Sequence, residues 1–342
     1  MNFEEPTWKR FESLARRILE ENNFQIQLNS TRGDKGFDFL GRLTNESWAI
    51  EVKYYRTART RPSLIESAAT RVVVNGLRSN VEKGMLVTSS ILTSEFRLAL
   101  EQKYSIVFVD RIDLRNLAST NPSLLDELDA LLELDPDFIV DQQSTRLELK
   151  NRDKKLDEKP TPQIDSTGTQ LCEKLKSIKK GKAHWALYEA ICAEILMYLF
   201  PNDLKGWHKQ KSTDGGASRY DFVCRVSPTT EFWKFLVDNL NSRYIIFEFK
   251  NYSSKIKQGQ ILTTEKYLLE RGLRRVAIIF TRLGADKNAI SMMQGAMREH
   301  GKLILSIDDN EVCNMLQMKE EGDDPTDLLF KLVDDFLLSL PR

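Results

Sequence analysis

Apolar residues recur at helical spacing through Phe11, Leu14, Ala15, Ile18 and Leu19, which predicts an amphipathic helix near the start of the chain. The period then changes to that of short strands, at 36–40, 48–53, 84–88 and 106–110, with helical patterns between the later ones. The second half repeats this order. A helix with Tyr188, Ile191, Cys192, Ile195 and Leu196 on one face precedes strand-like runs at 219–223, 245–250, 277–281 and 303–308. Residues 231–240 read as an added helix, so that the second copy is longer. The order helix-β-β-β-α-β-α-β, met twice, predicts an α/β protein of two domains, each a mixed central sheet flanked by helices.

Between the copies, residues 141–169 are polar, hold Pro160 and Pro162 and lack an apolar period, as expected of a linker. Leucines alternating with acids over 124–134 predict a solvated helix that closes the first copy. The expected division is therefore 1–140, linker 141–169 and 170–342. A length of 342 residues suits two domains, and 41% hydrophobic with 29% charged residues is ordinary globular composition.

Composition also narrows the chemistry. Apolar runs fall far short of the roughly 20 residues of a bilayer span, and the first residues have no apolar signal region, so a cytoplasmic protein without membrane contact is expected. Four cysteines lie far apart with no C-x-x-C pair, and only three histidines accompany them, which argues against a zinc site or a disulfide framework. Zincin, serine-hydrolase and P-loop motifs are absent. Fifty basic residues balance fifty acidic ones, so nucleic-acid binding would have to rest on local patches. Catalysis is left to carboxylates and lysines.

Two glutamates interrupt apolar β-runs at the same point of each copy: Glu51 before Lys53, and Glu248 before Lys250. Strand alternation puts each Glu and its Lys on one face. Asp38 and Asp221, on the preceding strand-like runs, bring a second carboxylate to each. Such a pair raises its own pKa unless a cation lies between, and two carboxylates with a backbone carbonyl are ligands that Mg²⁺ accepts. The lysine can orient water and stabilise developing negative charge, which suits phosphodiester hydrolysis. A third E-x-K, Glu148 to Lys150, follows no apolar strand.

A helix glutamate, then Asp, then Glu-x-Lys resembles the PD-(D/E)xK nuclease superfamily. The first half, with Gly33-Asp34-Lys35-Gly36-Phe37-Asp38 and the 84–89 strand, is similar to its Mrr-like restriction endonuclease branch. The resemblance implies two restriction-endonuclease-like domains. It assigns catalytic positions to Asp38, Glu51 and Lys53 with Glu12 as accessory acid, and to Asp221, Glu248 and Lys250 with Glu189. It also implies a Mg²⁺-dependent DNA endonuclease, with Mn²⁺ as an expected substitute, serving restriction or anti-phage defence. A partner defence subunit and an oligomer stay open.

Basic residues follow each motif lysine, with Tyr54, Arg56, Arg59 and Arg61 in the first half and Asn251 and Tyr252 in the second as candidate nucleic-acid contacts. Other readings remain. The Glu-Lys pairs could be exposed ion pairs on edge strands. Glu12 and Glu189 could be a helix's polar face, Asp34 and Asp214 turn residues, and the basic runs solvated surface. One or both domains could bind DNA or an effector without cutting, or could cleave RNA or nucleotides.

Overall fold

The computed structural model describes residues 5–28, 36–133, 155–156, 164–209 and 221–341, without the side chains of Leu28 and residues 207–209. Asp34, Asp214 and the third E-x-K lie outside them. The chain divides into two units: residues 1–165 with 320–323, and residues 166–319 with 324–342.

In the first unit, α1 (Thr7–Glu21) buries Phe11, Leu14, Ala15, Ile18 and Leu19, the i, i+3, i+4, i+7, i+8 stripe visible in the sequence. The strands β1 (Gln25–Leu28), β2 (Phe39–Leu43) and β3 (Glu46–Lys53) form an antiparallel meander. Helix α2 (Pro62–Arg78) then crosses to β4 (Lys83–Thr88), and α3 (Ser94–Lys103) to β5 (Val107–Val109), both parallel to β3. The sheet order is β1-β2-β3-β4-β5. Every residue of β4 is buried, as a parallel strand covered on both faces requires. One face packs against α1, the other against α2 and α3. Helix α4 (Arg111–Ala118) starts in a capping box between Asp110 and Asp113. Helix α5 (Pro122–Leu131) buries Leu124, Leu128 and Leu131 and turns its acids outward.

The second unit repeats this plan. After α6 (Thr167–Ser177) comes α7 (Trp185–Leu199). Strands β6 (Leu204–Lys209), β7 (Phe222–Val226), β8 (Tyr244–Lys250), β9 (Val276–Thr281) and β10 (Leu303–Ile307) form a sheet in the order β10-β9-β8-β7-β6. The pairing is again antiparallel at β6/β7 and β7/β8, and parallel at β8/β9 and β9/β10. The added helix is present as α8 (Glu231–Asp238), inserted between β7 and β8. Helices α9 (Gln258–Glu265), α10 (Lys287–His300), α11 (Asp309–Glu321), whose last two residues group with the first unit, and α12 (Thr326–Leu338) complete the unit.

Three details differ from the expectations. Asp38 and Asp221 do not lie within strands but one residue before β2 and β7. Helix α6 starts inside the stretch expected as linker, and Leu156 of that stretch donates its amide to Glu82 O and packs against the first unit's core. Cys172 and Cys313 form a disulfide across 141 residues, joining α6 to α11. Separation in sequence misled there, because the fold brings the two Cα atoms to 5.3 Å. Among the described residues no helix is long and apolar enough to cross a membrane.

Candidate active site

The motif strands β3 and β8 are the third of five in their sheets, so the Glu-Lys pairs are not on edges. The register is the same in both units. Phe39 faces Ile50 and Phe222 faces Phe247, which sets the aspartate just before each strand level with the motif glutamate.

In the first unit Glu51 and Lys53 are 6% and 7% exposed, and Lys53 Nζ lies 3.1 Å from Glu51 Oε1. Asp38 Oδ2 accepts a hydrogen bond from the backbone N of Val52 at 2.8 Å. Lys53 Nζ also lies 3.0 Å from Asp323 Oδ1, in the 320–323 segment that groups with this unit. Burial pushes the Glu51 carboxyl up to about 8, with the Asp38 charge adding to the rise and Lys53 opposing it. Burial works against the Lys53 charge, but Glu51, Asp323 and Asp38 outweigh it and hold this ammonium well above its ordinary pKa.

The second unit repeats the arrangement. Asp221 Oδ2 accepts from the backbone N of Phe249 at 2.8 Å. Lys250 pairs with Glu248 Oε2, and its Nζ is 3.8 Å from Asp221 Oδ2. Glu248 is pushed up to about 7, by burial first and by Asp221 against the pull of Lys250. Among the described residues its Oε1 is buried with no hydrogen-bond partner.

Among the described residues, no three His, Cys, Asp or Glu side chains converge as a metal cluster, so each site presents a carboxylate pair. A pair fits Mg²⁺, which binds through one or two carboxylates and keeps waters or phosphate oxygens for the rest. The open Oε1 of Glu248 is a donor atom of the right kind, since a buried carboxylate oxygen left unpaired is costly.

The remaining sequence candidates fall in different places. Glu12 on α1 and Glu189 on α7 are half-buried, and neither joins its unit's pair in a three-carboxylate group. Arg56 and Arg59 are exposed, and Arg61 is half-buried at the start of α2. Tyr54 packs its ring on Phe11, 5.7 Å between centroids, and Tyr252 packs against the second core. Asn251 is a correction. It is 2% exposed, and its side-chain NH₂ is taken up by Lys179 O at 3.0 Å and Gly181 O at 2.9 Å, so it is not placed to touch nucleic acid.

Fold and site together define a pair of α/β domains, each a mixed five-stranded sheet with two acids and a lysine at its central strand. For the first of them, residues 3–118 match the family model Mrr_cat, described as restriction endonuclease. No curated protein matches the chain. Among solved structures the chain is similar to that of the restriction endonuclease FokI bound to DNA, at 9% identity and a TM-score of 0.32, covering 80% of this chain and 48% of that one. A second FokI structure is similar at 10% identity and a TM-score of 0.32, covering 83% and 49%. The chain spans about half the length of these FokI chains.

Proposed function

We propose that the protein is a Mg²⁺-dependent DNA endonuclease with two hydrolytic sites, Asp38, Glu51 and Lys53 in one unit and Asp221, Glu248 and Lys250 in the other. The observation that carries this reading is the recurrence of one buried arrangement. In both units an aspartate before the second strand binds the amide between a glutamate and a lysine on the central strand. The restriction-endonuclease match over residues 3–118 supports DNA as substrate and a role in defence against foreign DNA.

Asp38 with Glu51, and Asp221 with Glu248, would hold the metal, which when bound neutralises the carboxylate pair and polarises the scissile phosphate. Lys53 and Lys250 hold a proton at Nζ beside the motif glutamate. There the ammonium orients the attacking water and stabilises charge that develops on the phosphate oxygens. The Asp38–Val52 and Asp221–Phe249 bonds keep strand and acid in register. Exposed Arg56 and Arg59 supply phosphate contacts without sequence readout.

The test is incubation of the purified chain with plasmid, linear duplex, single-stranded DNA and RNA, each with Mg²⁺, Mn²⁺ or EDTA. DNA cleavage that EDTA abolishes is the expected result. Inertness on all DNA substrates with either metal overturns the proposal, and cleavage confined to RNA reassigns the substrate.

A further inference from the structure

Residues 174–188 contain five lysines and one histidine and no acid. They run from the end of α6 through a loop and a 3-10 turn (Lys182–His184) into α7, and Lys179, Lys180 and Lys182 are exposed. The loop is fastened to the motif strand's end. Asn251, the residue after Lys250, donates its side-chain NH₂ to Lys179 O and Gly181 O, and its own carbonyl accepts from Gly181 N at 2.9 Å. Gly181 adopts φ +121°, a conformation that residues with a side chain rarely take.

Behind Asn251 stands a buried polar network. Arg282 Nη1 lies 3.4 Å from Asn251 Oδ1, Arg282 Nε lies 2.7 Å from Asp309 Oδ2, and Tyr188 OH donates to Asp309 Oδ1 at 3.2 Å. Arg282 and Asp309 are 5% and 7% exposed. A buried ion pair contributes little net stability against its desolvation cost, so its presence here is better explained by what it positions than by what it stabilises. It braces Asn251, the neighbour of the motif lysine, and Asn251 fastens the backbone of the loop that carries three exposed lysines.

We propose that the loop Lys179–Lys182 is a phosphate-backbone clamp for duplex DNA at the second site, with Lys179, Lys180 and Lys182 as its contacts and Asn251 as a positioning residue. This rests on the nuclease reading of that site. Three exposed ammonium groups on a backbone fastened at Lys179 and Gly181 suit a poly-anion of variable sequence, because point charges neutralise phosphates without reading bases.

The experiment measures binding of a fluorescent duplex oligonucleotide to the full chain in EDTA, over a series of salt concentrations, so that no cleavage is needed. Lys179→Ala, Lys180→Ala and Lys182→Ala combined should weaken binding by about tenfold or more and make the slope of log affinity against log salt shallower by about 3. Lys234→Ala with Lys331→Ala, on α8 and α12, is the control and should change the slope by less than 1 or so. A triple variant that binds like the unsubstituted chain, a control pair with an equal effect, or an unsubstituted chain that does not bind duplex even at low salt overturns the clamp. If binding responds as expected while no substrate is cut, the clamp stands and the nuclease reading fails. If cleavage proceeds and the triple variant binds normally, the reverse holds.

Discussion

Asp38 accepts the backbone N–H of Val52 at 2.8 Å, and so reads the amide between the two catalytic candidates Glu51 and Lys53 rather than either side chain. Asp221 does the same to Phe249. On the proposed nuclease reading each aspartate has two functions that substitution can separate: an acceptor that ties strand to strand, and a charge that would help hold a cation. Asp38→Asn keeps the acceptor and loses the charge, whereas Asp38→Ala loses both. Both variants should lose cleavage at that site, but only Asp38→Ala should be less stable, by about 1–2 kcal/mol. Urea titrations of the two variants decide it, and equal destabilisation would contradict the dual role.

If both sites cut, one strand each, Glu51→Gln or Glu248→Gln alone should turn plasmid cleavage from linear product towards nicked circle. Each should slow its site by about 100-fold or more, because several kcal/mol of charge stabilisation is lost. The double variant should be inert. Gel analysis of the products checks this, and one fully active variant beside one dead one would make the silent half a binding domain.

Stability should depend on pH in a defined direction. Glu51 is pushed up to about 8 and Glu248 to about 7 from an ordinary 4.5, by burial first and the neighbouring aspartate second. A carboxyl that holds its proton more tightly when folded makes stability fall as pH rises from the unfolded to the folded pKa. In EDTA the melting temperature should therefore decline between pH 4.5 and about 8, and Glu51→Gln with Glu248→Gln should flatten the decline. The raised lysines contribute below 10.5 and lose that contribution only above it, outside this window. Parallel pH curves for the two proteins would count against these carboxyls as the source.

The disulfide offers a test without substrate. Joining Cys172 to Cys313 closes a loop of 141 residues, for which chain entropy gives a stabilisation of about 4–5 kcal/mol at most. Thiol titration of the oxidised, unfolded chain should find Cys192 and Cys224 only, and reduction should lower the melting temperature of the second unit. Four titratable thiols without reductant would show the pair open, as a reducing compartment would keep it.

Much of the fold was legible in sequence because it rests on local periodicity. The stripe Phe11, Leu14, Ala15, Ile18, Leu19 could only be an amphipathic helix, and the alternation around Glu51 and Glu248 put each glutamate on the same face as its lysine. Repetition of the element order exposed the second unit, which the family match over residues 3–118 does not reach. What no local pattern carries is which strand pairs with which, and at what register. The central position of β3 and β8, and with it the burial that lifts Glu51 and Glu248, depends on strands far along the chain. Asn251 shows the same limit. Its place after Lys250 suggested a ligand contact, but the fold wraps residues 179–181 over it and turns its amide inward. An acid-free run of lysines was visible from 174 to 188, yet only tertiary structure set it beside the motif strand, because hydrogen bonds between residues about 70 apart leave no periodic trace in either segment.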